Sequence, residues 1–371
     1  MSAPWRRRDI LALIGAAALA ARPAPADAAP GGARAALLKR GFNLPDQVPL
    51  QPSALPRRAT LKFLRERGMT HVRLPVRGEK LMTRFSSAAT IRATLDDFDR
   101  TLDSLLDLDF AVTADMHPGG DFGRLHRSDP EEAFVALIEG WRNLAKRIGR
   151  LPPSRVFAEL LNEPNTDDAI WRAQAARLVV DLRSQLPSTT FITGPAPYQR
   201  VEALAGWRPL DDKNIVYAFH YYDPMAFTHQ GLTWDPSSPL SRLEGVPFPT
   251  WRGEPGINRL LEALRARGDL DLALSIDQAL DKPWTAQTIA GQFAPLAAWS
   301  RTHDAPVILN EFGALRFKAP RAARLAWLKA VRETAQAKGF GWAHWDYNQG
   351  FGLLDETGKP DSALIDVLLP T

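Results

Sequence analysis

The feature that most restricts this chain is an alternation carried along most of its length. A short apolar, β-branched run gives way to a polar turn and then to a stretch of helical periodicity. Eight such runs fall at 40–43, 71–75, 110–116, 155–161, 189–194, 214–220, 306–310 and 340–345. Helical patterns occupy 57–67, 91–108, 130–148, 167–185, 285–302 and 320–338. Within 91–108, Leu95, Phe98, Leu102, Leu105 and Leu106 recur at three- and four-residue spacing, which gathers them on one face. Asp167 or Asp168 reads as an N-cap and Gly339 as a helix stop. Strands separated by helices pair in parallel through crossovers, and eight of them close a (β/α)8 TIM barrel, an α/β fold. Runs such as Val156-Phe157-Ala158 and Val307-Ile308-Leu309 are apolar throughout, as strands buried on both faces are. An open doubly wound sheet would want an early Gly-rich phosphate turn, whereas Gly41-Phe42-Asn43 runs into Leu-Pro. Residues 221–283 break the rhythm. They are too many for a plain connection and carry Trp234 and Trp251, so an elaborated loop over the barrel mouth is expected.

Composition narrows the chemistry. The chain has no Cys, which excludes a disulfide framework, a thiolate metal site and a Cys nucleophile. There are 46 Lys and Arg against 42 Asp and Glu; setting aside the first 28 residues, with four Arg and two Asp, leaves 42 against 40. Neither a nucleic acid nor an anionic membrane is expected as a partner. Those first residues read as an export signal: Arg6-Arg7-Arg8, then an uncharged run at 10–21, then small residues at Ala26 and Ala28. A helix over that run rises about 18 Å, too little for a bilayer core of about 30 Å. Arg7-Arg8 followed by Asp9-Ile10-Leu11 resembles a twin-arginine signal. The expected organisation is a signal at 1–28 and a single catalytic domain at 29–371. Export to the periplasm or extracellular space and no membrane attachment after signal removal follow from it.

Barrel enzymes carry their chemistry at the C-terminal ends of the strands. There this chain places Asn43, Arg73, His117, Asn162-Glu163, His220 with Tyr222, Glu311 and Trp345. Each alone has an ordinary reading: a strand-end Arg pairs with some carboxylate, a lone His is a satisfied structural group, a lone Glu is solvated. Together they converge, because parallel strands aim their ends at one small ring. Glu163 and Glu311 end the fourth and seventh strands, across the barrel from each other. Cleaving a glycosidic bond takes one carboxylic acid to protonate the leaving oxygen and one carboxylate at the anomeric carbon, with no cofactor or metal. No HxH or HExxH pattern is present. A Mg²⁺ site of the enolase type would need a third acid and a Lys or His base, and the third acid has no candidate.

At these residues the chain resembles glycoside hydrolase family 5, the cellulase family, from about residue 40 to 355. Leu160-Leu161-Asn162-Glu163-Pro164 resembles the acid/base signature and Leu309-Asn310-Glu311-Phe312-Gly313 the nucleophile signature. Val72-Arg73-Leu74-Pro75, Ala114-Asp115-Met116-His117, Phe219-His220-Tyr221-Tyr222 and Gly341-Trp342-Ala343-His344-Trp345 resemble the endings of strands two, three, six and eight. The resemblance implies Glu163 as acid/base and Glu311 as nucleophile of a retaining enzyme. It further implies Asn162 at the sugar 2-hydroxyl, Arg73 and Tyr222 beside Glu311, His117 in the active site, His220 beside Glu163, and Trp345 flooring a sugar subsite. The implied partner is a β-linked oligo- or polysaccharide and the implied activity an endo-β-1,4-glucanase; a monomer is the default expectation, since nothing in the sequence sets the oligomeric state. Mannan, β-1,3-glucan, xyloglucan or an exopolysaccharide are alternatives, and a non-hydrolytic glycan-binding protein is the reading from another class. Trp234, Trp251 and Trp284 are candidates to lengthen the sugar platform, and His126, His229 and Asp223 to line the cleft.

Overall fold

The computed structural model describes residues 30–51 and 56–370. Its strands are β1 (Arg40–Asn43), β2 (His71–Val76), β3 (Ala111–Met116), β4 (Val156–Glu159), β5 (Thr190–Thr193), β6 (Ile215–Tyr221), β7 (Val307–Phe312) and β8 (Gly341–His344). They pair in chain order, every pair parallel, and β8 returns to β1 with Ala343 opposite Gly41. The expected TIM barrel is therefore the observed fold, each strand lying within two residues of its expected ends.

Strand side chains alternate between two separate cores, as a period of two requires. Val156, Ala158, Ile215, Tyr217 and Phe219 belong to the large core between barrel and helices, whereas Phe157, Ile192, Val216, Ala218 and Ile308 fill the barrel with Leu38. Leu38 follows the helix Pro30–Ala35 and closes the floor. Near it, His71 lies against Gly41, where any Cβ would overlap the imidazole. Higher along the same inward phase the apolar residues stop, and Asn43, Arg73, Asp115, Glu159, His220 and Asn310 take over, all buried.

Helices start where local chemistry supplies a cap. Ser87 Oγ accepts the N–H of Thr90 ahead of Ala88–Leu106, and Asp129 accepts that of Glu132 ahead of Pro130–Ile148, with Pro130 in the first turn. Asp167 caps Asp168–Arg183 through the N–H groups of Ala169 and Ile170. Short helices at Gly120–Ser128, Val201–Ala205 and Ser362–Leu368 escape the periodicity reading, being only two turns or so long.

The long segment after β6 is the enlarged connection expected, but it is more than a loop over the mouth. It carries helices Met225–Thr228, Pro255–Ala266 and Leu270–Ala279, and only its first part reaches the mouth of the barrel. Its later part packs on the flank. There Trp251 and Phe248 line a surface groove with Ala326, Lys329 and Ala330 of helix Arg321–Ala337. The expected export signal at 1–28 lies outside the described residues. Among the described residues, no helix is long and apolar enough to cross a membrane.

Candidate active site

Arg73 is the hub of the barrel mouth. It rises from β2 along the inward phase, 1% exposed, and its guanidinium spends its donors on groups from four other strands or their ends. Nε donates to Glu159 Oε2 at 2.6 Å and Nη2 to Glu159 Oε1 at 3.0 Å, a fork-on-fork pair. Nη2 also donates to Asn162 Oδ1 at 2.8 Å and lies 3.0 Å from Asp115 Oδ2. Nη1 donates to Asn43 Oδ1 at 3.0 Å and to Glu311 Oε1. Burial opposes this charge, but Asp115, Glu159 and Glu311 outweigh it and push the guanidinium pKa well above its ordinary value. One cation among three buried carboxylates leaves surplus negative charge. Burial, partly offset by Arg73, raises Asp115 to about 7.

A chain of hydrogen bonds leads from this hub to the cleft and fixes a tautomer. Asn162 Oδ1 is taken by Arg73, so its amide nitrogen faces His117 Nε2 at 3.2 Å as the donor. His117 must then accept at Nε2 and donate from Nδ1, which it does to Asp115 Oδ2 at 2.7 Å. Burial, then the Arg73 charge, lowers His117 to about 4, so the ring is neutral as this pattern demands. The second amide proton of Asn162 has no partner among the described residues. The imidazole stacks on Trp345, centroids 5.7 Å apart at 19°.

Glu311 reaches the same hub by a defect in β7. Pairing with β6 slips between Phe219 and His220, so that His220 lies opposite Glu311 rather than Asn310. This bulge lets consecutive residues face inward: Asn310 Nδ2 donates to Glu159 Oε1 at 2.7 Å, while Glu311 meets Arg73. Glu311 Oε2 accepts the Tyr222 hydroxyl at 3.0 Å. Burial, then the Glu311 charge, pushes Tyr222 well above its ordinary pKa, so it stays a phenol and a donor.

Glu163 stands opposite, just beyond β4. Its backbone is in the left-handed region, φ 42°, a conformation a non-Gly residue keeps only when its surroundings hold it there. Gln199 does so: its Oε1 accepts the Glu163 N–H at 3.0 Å, its Nε2 donates to Glu159 Oε1 at 3.3 Å, and its carbonyl accepts the His220 N–H at 2.9 Å. Gly194 leaves the room, since a Cβ there would stand 2.9 Å from Gln199 Cγ. His220 Nδ1 lies 2.9 Å from Glu163 Oε1 and 3.5 Å from Glu311 Oε2, between the two carboxyl groups. Burial lowers His220 to about 4 and raises Glu163 above the ordinary carboxyl value, the latter opposed by His117 and Arg73. One oxygen from each carboxyl group and a ring nitrogen of His220 lie within 4.8 Å of one another. Such a trio could meet a divalent cation. Here, though, Arg73 and Tyr222 already occupy both oxygens of Glu311, and the guanidinium would repel a second cation nearby. The set fits a carboxylate held by two donors facing a carboxyl group of raised proton affinity, Glu163, better than it fits a metal.

All nine strand-end residues expected at the mouth thus meet there: Asn43, Arg73, His117, Asn162, Glu163, His220, Tyr222, Glu311 and Trp345. Among the further candidates, Trp234 and His229 line a cavity of about 470 Å³ with Trp345 and Phe351. Asp223 lines an adjoining cavity of about 510 Å³ with Tyr198, Arg200 and Met225, and Glu163 borders both. Trp251 and Trp284 do not extend the platform. Trp251 lies on the flank, and Trp284 is buried with its Nε1 donating to Ala279 O. His126, buried and hydrogen-bonded to Gln174, lines a third cavity, of about 340 Å³, that Asn162 and Glu163 also border. Asp115, Glu159 and Asn310 were not singled out from sequence, although each continues the inward alternation of its strand. Nothing local marks Gln199.

The chain matches the model of the cellulase family, glycosyl hydrolase family 5, over residues 40–350. It is 29% identical over 321 residues to Endoglucanase 3 of Fibrobacter succinogenes, covering 81% of this chain but 47% of that protein, so it spans about half of that relative. It is 26% identical over 320 residues to Endoglucanase C of Acetivibrio thermocellus, covering 83% of this chain and 89% of that one. Among solved structures, a hyperthermophilic endo-β-1,4-glucanase in complex with substrate superimposes with a TM-score of 0.73 at 25% identity, over 91% of this chain and 99% of that chain.

Proposed function

Since the chain belongs to the cellulase family, glycosyl hydrolase family 5, we propose that it is a retaining endo-β-1,4-glucanase, with Glu311 as nucleophile and Glu163 as acid/base. The observation that carries this reading is the pairing of Glu163 with Glu311 around His220, their nearest oxygens within 4.8 Å. Retaining enzymes separate the two carboxyl groups by about 5–5.5 Å, inverting ones by about 6.5–9.5 Å to admit a water. Relatives named endoglucanases support the substrate class.

In the first step Glu311 attacks the anomeric carbon while Glu163 gives its proton to the leaving oxygen, forming a glycosyl ester and releasing the aglycone. Arg73 and Tyr222 hold the attacking carboxylate in place from both oxygens. Burial keeps the proton on Glu163 to higher pH than an ordinary carboxyl group would hold it. Esterification removes the charge of Glu311, which eases loss of that proton. Glu163, now a base, activates the water that opens the ester. The unspent amide proton of Asn162 faces the sugar 2-hydroxyl, and Trp345 offers a flat face to the C–H side of the ring.

Residues 1–28 would direct export and 29–371 form the catalytic domain, working as a monomer on soluble or insoluble glucan outside the cytoplasm. The test is reducing-end release from a panel of β-1,4-glucan, mannan, β-1,3-glucan and xyloglucan. Glu311→Ala should abolish turnover of an activated aryl β-cellobioside and regain it with azide. Full activity in that variant, or release from none of the glucans, refutes the reading; preference for mannan or β-1,3-glucan corrects the substrate alone.

A further inference from the structure

The segment after β6 delivers one polar group to the cleft that the mechanism above does not use. His229 follows the short helix Met225–Thr228 and is 7% exposed. Its imidazole meets three aromatic rings nearly edge to face: Tyr222 at 5.2 Å and 70°, Trp234 at 5.8 Å and 79°, and Phe351 at 5.6 Å and 71°. Tyr222 is the residue that donates to Glu311, so His229 is one ring removed from the reacting carboxylate.

The protonation pattern of this ring is determined by its neighbours. Thr228 Oγ1 lies 2.5 Å from the carbonyl oxygen of Tyr222, which can only accept. The single hydroxyl proton of Thr228 is spent there. His229 Nδ1 lies 2.9 Å from the same Oγ1 and so must be the donor. Burial lowers the imidazole to about 4, which leaves one proton on the ring. Nε2 is therefore a bare acceptor. It has no partner among the described residues, and the ring borders both cavities that meet at Glu163.

A fixed acceptor in a wall of aromatic rings suits a neutral sugar, which presents C–H faces to the rings and O–H donors around its edge. We propose that His229 is a specificity-determining residue whose Nε2 accepts a hydrogen bond from the C3 or C6 hydroxyl of the sugar that lies on Trp345. This rests on the proposed glycosidase reading and adds the residue that reads one hydroxyl of that sugar. A charged imidazolium, or the other tautomer, would offer a donor instead and lose the preference; Thr228 is what excludes the latter.

The test pairs His229 variants with aryl β-cellobiosides in which the C3 or the C6 hydroxyl of the ring next to the aglycone is replaced by fluorine. Fluorine removes the O–H donor, and its inductive penalty is common to all variants, so it cancels in the double difference. In the unmodified protein, one of the two substitutions should cost about tenfold more in kcat/KM than it costs His229→Phe. His229→Gln, which restores an acceptor oxygen, should regain part of that discrimination. Thr228→Val keeps the imidazole but frees its tautomer and should lose part of it, which covers the case of a His229→Phe protein that does not fold. Equal penalties at both positions in the unmodified protein and in the folded variants overturn the proposal while leaving the glycosidase reading intact. No turnover of the unfluorinated cellobioside by the unmodified protein overturns both.

Discussion

The side-chain oxygen of Gln199 accepts the main-chain N–H of Glu163 at 3.0 Å, so the residue proposed as acid/base is held by its backbone rather than by its carboxyl group alone. Gln199 is fully buried and reaches Glu159 and His220 as well. Gln199→Leu leaves a buried N–H unpaired, a cost of about 1–3 kcal/mol. Because it misplaces the proton donor and not the sugar floor, kcat should fall with KM little changed. The fall should be larger for poor leaving groups than for dinitrophenolate, which needs no protonation. A series of aryl cellobiosides of graded leaving-group pKa measures this; a uniform loss across the series contradicts it.

Arg73 ties Glu159, Asn162, Asn43 and Glu311 together through a planar fork. Lysine has the charge but a single nitrogen, and cannot serve Glu159 bidentately while also reaching Glu311. Arg73→Lys should lower kcat by at least about a hundredfold. It should also destabilise the fold by about 1–3 kcal/mol, since the charge stays but buried carboxylate and amide oxygens lose hydrogen-bond donors. Thermal denaturation beside steady-state kinetics tests both parts.

The raised proton affinity of Glu163 has a sign that can be worked through. The proposed acid must carry its proton in the free enzyme, so activity is lost as pH rises through its pKa. An upward shift from 4.5 moves that alkaline limb of kcat/KM to higher pH, widening the active range on its basic side. Glu163→Ala should abolish the limb for a substrate with an activated leaving group. A limb that persists unchanged in that variant would assign it to another group.

His71 sits on the barrel floor with neither ring nitrogen hydrogen-bonded among the described residues, and burial lowers its pKa from 6.5 to about 3. The unfolded chain therefore binds a proton below about 6.5 that the folded chain refuses until about 3. Its contribution to stability is complete above 6.5 and is lost as pH falls between those values. Each pH unit there costs about 1.4 kcal/mol for this one proton. His71→Phe should flatten the dependence of unfolding free energy on pH by that slope, read from urea midpoints at pH 7 and pH 5. His117, His220 and His344, also lowered by burial, keep part of the trend.

Gly41 packs on that same imidazole. Gly41→Ala should cost about 1–3 kcal/mol through overpacking in a closed floor. The cost should shrink when combined with His71→Ala, and a double-mutant cycle in thermal unfolding measures the coupling. Additive effects would show that the floor relaxes some other way.

The barrel and the nine residues of its mouth were legible in the chain because each rests on a property of one strand. Apolar runs of five or so residues announce the strands, and the polar or aromatic residues near the C-terminal part of each run, from Asn43 to Trp345, announce where the strand leaves the apolar core. The carriers of the site were harder to see. Asp115 and Glu159 lie within runs otherwise apolar, and only the inward phase distinguishes them from core positions. The later part of the segment after β6 carries its Trp residues to the flank, where nothing in their spacing foretells it.

Sequence alone, then, determined that eight parallel strands would bring two glutamates, an arginine and their companions to one end of a barrel, since alternation, run length and strand-end polarity are local. Tertiary structure decided how they act. It supplied the bulge that turns both Asn310 and Glu311 inward, the Gln199 brace that holds Glu163 in a left-handed conformation, and the seat of His229 among Tyr222, Trp234 and Phe351. Each depends on register and packing between segments far apart in the chain, and a one-residue slip reverses the face a strand side chain occupies without changing its local pattern.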